Sequence, residues 1–102
     1  MNKADRDRLS RLHDLSCIAC GRFPTEAHHI VNNGYRRLSG GHQATIPLDR
    51  WCPRGEPWPG MTVSECQEKI GPSLALSKRE FVKYYGNERS LLERTDKLLG
   101  NL

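Results

Sequence analysis

Apolar side chains recur along this chain in short local patterns. Ala4, Leu9, Leu12 and Leu15 fall at helical spacing among Arg and Asp, which predicts a short amphipathic helix over residues 4–15. Ser16 to Pro24 breaks that period: Cys17 and Cys20 stand three apart with Gly21 directly behind, the composition of a tight turn. Glu26 to Val31 is the best strand candidate, and Ala44 to Leu48 is a second, shorter one. Between them Asn32 to His42 reads as loop, because Gly34, Gly40 and Gly41 surround Arg36 and Arg37. Past the second strand, Asp49-Arg50-Trp51-Cys52 runs into Pro53, Pro57 and Pro59, which disfavour a continuous helix there.

The last third returns to helical periods. Thr62 with Glu65 has the form of a capping box, opening a helix that ends near Gly71-Pro72. Ser77 with Glu80 opens another, which carries Phe81, Val82, Tyr84 and Tyr85 and ends at Gly86-Asn87. Leu91, Leu92, Leu98 and Leu99 give a final amphipathic helix. No internal repeat, low-complexity segment or flexible linker divides the 102 residues, so a single α+β domain is expected. Its parts are an N-terminal helix over 1–15, a core over 16–60 and C-terminal helices over 61–102.

Composition changes this picture in one respect. Only 36% of the residues are apolar, with nine Gly and six Pro, so the core is thin. A domain of this size buries roughly 60–70% of the surface its unfolded chain exposes, and a structural metal would stabilise it by holding its loops. The formal net charge of +4 is compatible with a polyanionic partner but does not specify one. No run of eighteen apolar residues exists and the first fifteen residues carry no apolar signal core, so a cytoplasmic protein with no membrane partner is expected. In a reducing compartment four cysteines read as metal ligands or buried thiols.

The spacing of those cysteines favours a metal. Two thiolates at Cys17-x2-Cys20 can both reach a tetrahedral ion. A redox pair has the same spacing, but the thioredoxin-like reading needs a βαβ context that is missing here. Asp49-x2-Cys52 repeats the i, i+3 step about thirty residues later. Cys17, Cys20 and Cys52 are therefore expected as structural zinc ligands, with Asp49, a nearby His or water as the fourth. Cys66 lies in a predicted helix near Val63 and Ile70 and reads as a small buried hydrophobe. His28 and His29 are adjacent on a strand, so they point to opposite faces, and one can ligate a metal while the other faces a substrate or a core.

Taken in order, Cys-x2-Cys, His28-His29-Ile30, the Gly/Arg loop, His42-x2-Thr45-Ile46-Pro47-Leu48 and Arg54-Gly55-Glu56-Pro57 resemble a family. It is that of the phage recombination-enhancement (Ref-type) nucleases that act with RecA, a branch of the HNH, or ββα-metal, superfamily. The stretch from Gly71 to Phe81 is similar to the tail of small phage proteins in that group. The resemblance covers nearly residues 16–99. It implies a zinc-stapled ββα-metal core with additional N- and C-terminal helices, and metal-dependent endonuclease activity on DNA linked to recombination. It also implies a RecA-type recombinase filament as partner and catalytic Mg²⁺ or Mn²⁺ beside the structural Zn²⁺. By the same resemblance His28 is the ligand of the catalytic metal and His29 the general base that activates water. His42 would orient phosphate or metal, and Arg36, Arg37 and Arg54 would contact backbone phosphates. Phosphodiester cleavage needs a deprotonated water and charge neutralisation, which a neutral imidazole and a divalent cation supply.

The pattern departs from the family at three neighbouring positions. Asp49 stands where a zinc cysteine is expected and Cys52 where a zinc histidine is expected, and both replacements can ligate. Pro53 stands where the family has a helix-borne histidine ligand of the catalytic metal, and proline cannot coordinate. The sequence therefore predicts reduced or lost cutting. Its alternative reading is an inactive, zinc-stabilised remnant that binds DNA or a recombination protein.

Overall fold

The computed structural model describes residues 2–30 and 43–100, in which five helices and a two-stranded sheet form a small α+β unit. The predicted loop Asn32 to His42 lies outside the described residues. Helix α1, Lys3–Leu12, opens on Asn2, whose side chain accepts from the Asp5 amide at 2.8 Å. It stops three residues short of Leu15, because the chain turns there to reach the cysteine turn. Thr25 fastens the two segments by donating its hydroxyl to the Leu15 carbonyl at 2.7 Å.

Strand β1, Glu26–His29, pairs antiparallel with β2, Thr45–Leu48, so that Glu26 faces Leu48 and His29 faces Thr45. The Ile30 amide donates to the Ala44 carbonyl at 2.9 Å, carrying the pairing one step past both strands. All four residues of β2 are buried. Pro47 has no amide hydrogen to give, but its carbonyl accepts from the Ile18 amide at 2.9 Å, which fixes the cysteine turn to β2.

After β2 the chain makes one helical turn, α2, Trp51–Arg54, in a region where the prolines argued against a continuous helix. Pro53 is tolerated because the first turn of a helix has no intrahelical use for its amide hydrogens. The turn ends at Gly55 in the left-handed region, where a Cβ would come within 2.8 Å of the Leu76 side chain. The capping box at Thr62 and Glu65 forms as the sequence predicts and opens α3, Val63–Lys69. Helix α4, Leu74–Tyr85, starts earlier than predicted, on the hydroxyl of Ser73. The predicted start, Ser77, is instead a kink at φ −148° and ψ 59°, beyond which the helix resumes. Asn87 caps α5, Glu88–Leu98.

Ile18, Ile30, Ile46, Leu48, Trp51, Phe81 and Leu91 pack into the core with Cys17, Cys52 and Cys66. Cys66 is fully buried there, as read from its helix. The indole of Trp51 donates to the Gly71 carbonyl at 2.8 Å, tying α2 to the end of α3. No helix among the described residues is long and apolar enough to cross a membrane.

One buried charge holds three elements together. Arg8 of α1 is 7% exposed. Its guanidinium donates to the Thr45 hydroxyl at 2.9 Å, the Thr45 carbonyl at 2.6 Å and the Asp96 carboxylate at 2.8 Å, so α1, β2 and α5 share one clamp. Arg8→Met, which keeps the aliphatic bulk, is expected to destabilise the fold by about 2–4 kcal/mol in denaturant unfolding. Unchanged stability would show that the clamp contributes nothing net.

Candidate functional site

Two tight turns meet at one point. In the first, the Cys20 amide donates to the Cys17 sulfur at 3.4 Å, while the Gly21 amide closes onto the Cys17 carbonyl at 2.9 Å. In the second, Asp49 Oδ1 accepts from the Cys52 amide at 2.8 Å, and α2 follows directly. The donor atoms of Cys17, Cys20, Asp49 and Cys52 all lie within 4.8 Å of one another. Sulfurs bound to a tetrahedral zinc at about 2.3 Å stand roughly 3.8 Å apart, so a small contraction would close the cluster on an ion.

The electrostatics of the cluster suit a cation. All four cysteines are free of disulfides. Hydrogen bonds from the Cys20 and Cys52 thiols hold Cys17 far below the usual thiol range, against the opposing effect of burial. Its thiolate in turn raises Cys20 to about 12, and the same sulfur contacts together with burial raise Cys52. Asp49 is completely buried, yet both its oxygens are engaged: Oδ2 accepts from the Trp58 indole at 2.9 Å and from the Cys20 thiol at 3.4 Å. Three soft sulfurs and one oriented carboxylate could hold a metal ion and are compatible with structural zinc. Asp49, one of the fourth donors left open by the sequence, lies within the cluster among the described residues.

His28 and His29 are not part of this cluster. His28 Nε2 is 2.9 Å from Glu88 Oε2 at the start of α5, and both side chains are about three-quarters buried. They line a cavity of about 260 Å³ together with Pro53, Leu74, Ala75 and Lys78. The strand and α2 thus bring His28 and Pro53 to the same concavity. His29, the next residue of β1, is partly buried. Arg54 is engaged by two carboxylates, those of Glu26 and of Glu56, the latter at 2.8 Å. Arg50 pairs with Glu56 at 2.7 Å and lies over the Trp58 ring. His42, Arg36 and Arg37 lie outside the described residues.

The residues that sequence reasoning did not single out are Trp58, Lys78 and Glu88. Glu88 follows a capping Asn, where an acidic residue ordinarily complements the helix dipole, so nothing local marks it as a partner of a histidine sixty residues away. Trp58 carried a weak signal: an indole inside a Gly- and Pro-rich stretch needs a partner for its N–H.

The profile of a family described as recombination enhancement, RecA-dependent nuclease matches residues 2–100. No curated protein matches the chain.

The cluster geometry separates two kinds of cysteine. Cys52→Ala is expected to abolish metal retention, read by elemental analysis, and to lower the melting temperature by about 10–20 °C. Cys66→Ala removes an equally buried sulfur from the core and is expected to keep the metal and melt only about 4–8 °C lower. Equal metal contents in the two variants would contradict the assignment.

Proposed function

Because the chain belongs to the family of recombination-enhancement, RecA-dependent nucleases, we propose that it acts on DNA through an HNH-type site whose cutting is weakened or lost at Pro53. One observation carries this reading: His28 and Pro53 line the same cavity. That is where a strand-borne and a helix-borne ligand would converge, and the second offers no donor atom. The order of β1, β2 and α2, with a metal-compatible cluster where β2 passes into α2, supports the ββα-metal reading. In it residues 16–60 form the zinc-stapled core of a single domain spanning 1–102, flanked by the helix of 1–15 and the helices of 61–102.

Each residue then has a task. Cys17, Cys20, Asp49 and Cys52 would hold a structural zinc, which would brace the turn that leads into α2. His29 takes the proton of the attacking water as a neutral imidazole. His28 would hold Mg²⁺ or Mn²⁺, which would supply charge neutralisation on the phosphate oxygens. Arg36 and Arg37 are proposed to contact backbone phosphates, and His42 to orient phosphate or metal. Arg54 contributes less than a free guanidinium would, since Glu26 and Glu56 already neutralise it. A recombinase filament on single-stranded DNA is the context in which the chain acts.

The missing donor at Pro53 also favours a second reading, a zinc-stabilised remnant that binds DNA or a recombination protein without cutting. A paired assay on the zinc-loaded protein separates the two. Mg²⁺- or Mn²⁺-dependent cleavage, with and without recombinase filaments, is expected to be weak or absent, and any residual activity is expected to vanish in His29→Ala. Pro53→His is expected to raise cleavage by about tenfold or more, by restoring a ligand. DNA binding without cutting by either form would establish the remnant, and robust cleavage that survives His29→Ala would overturn the site.

A further inference from the structure

The cavity that holds His28 and Pro53 also holds a carboxylate that no sequence motif explains. Glu88 is the first residue of α5, and the Asn87 cap orients it there by accepting from the Ser90 amide at 2.8 Å. Its Oε2 lies 2.9 Å from His28 Nε2. Two cis ligands of an octahedral Mg²⁺ at about 2.1 Å from the metal stand about 3.0 Å apart. The two atoms are hydrogen-bonded to each other, and a divalent cation that displaced the shared proton to solvent would hold them at about the same spacing. The pair also lies on the wall of a cavity of about 260 Å³.

We infer that His28 and Glu88 together form the divalent-cation site of this cavity, the carboxylate from α5 replacing the donor that Pro53 withholds. The inference rests on the reading above that His28 faces the catalytic cation, and adds a ligand to it. Imidazole nitrogen and carboxylate oxygen are both suitable donors, and Glu88 supplies the negative charge that a lone histidine lacks. Of the other groups lining the cavity, Leu74, Ala75 and Pro53 offer no side-chain donor, and Lys78 is a cation. Lys78 opposes metal binding, so the site is weak alone and tightens when phosphate oxygens complete the shell. Mg²⁺ is commonly held in this way, by one or two protein groups, waters and substrate phosphate.

Mn²⁺ binding to the zinc-loaded protein, followed by the electron paramagnetic resonance of the free ion, tests this without reference to activity. The wild-type chain is expected to bind one Mn²⁺ in addition to its zinc. Glu88→Gln, which keeps the shape and the amide cap of α5, is expected to weaken binding by about tenfold or more, as is His28→Ala. Lys78→Glu, which leaves the pair intact, is expected to tighten it by about threefold or more. This variant keeps the proposal falsifiable should Glu88→Gln fail to fold, since unchanged affinity in Lys78→Glu overturns it. Mn²⁺ lost in His28→Ala but bound normally by Glu88→Gln would remove Glu88 and leave His28 facing the cation. No Mn²⁺ in the wild-type chain, or binding unaffected by either change, would overturn both the pair and the reading it rests on.

Discussion

The structure depends on the meeting of two turns, 17–20 and 49–52, at a single buried point. Three sulfurs and a fully buried carboxylate converge there. A carboxylate removed from water costs several kcal/mol unless it is paired and hydrogen-bonded. Asp49 meets that demand by accepting from the Cys52 amide, the Trp58 indole and the Cys20 thiol. A cation among these donors would neutralise the remaining charge and cross-link segments about thirty residues apart. In a chain with so few apolar residues, such a cross-link does work that a larger core would otherwise do.

That point also orients everything downstream. The cysteine turn is fixed to β2 through Ile18 and Pro47, and β2 leads straight into Asp49. The direction of α2 follows, and with it the opposite outlooks of two consecutive residues. Cys52 faces the cluster, while Pro53 faces the cavity of His28 and Glu88. The two sites are therefore adjacent in sequence but chemically separable. Asp49 and Cys52 belong to a set that could hold a metal, whereas Pro53 offers the other cavity no side-chain donor.

Much of this was legible in the sequence, for identifiable reasons. The i, i+3 spacing of Cys17-Cys20 and Asp49-Cys52 marks turns whose side chains converge, and the Thr62–Glu65 box is a local code read within one helical turn. Both strands appeared within a residue or two of their ends, as far as the described residues extend. What escaped was long-range. Arg8 looks like one more polar residue on α1, and only the folded chain shows it buried against Thr45 and Asp96. Glu88 looks like a helix-start acid until α5 docks beside β1. The one-turn helix at Trp51–Arg54 was hidden because a proline argues against helix in general yet is tolerated in the first turn.

X-ray absorption at the zinc edge of the purified protein tests the central claim most directly, because it reads the ligand set itself. A four-coordinate shell of three sulfurs at about 2.3 Å and one oxygen at about 2.0 Å is expected. A shell dominated by nitrogen and oxygen, or one with two sulfurs or fewer, would contradict it.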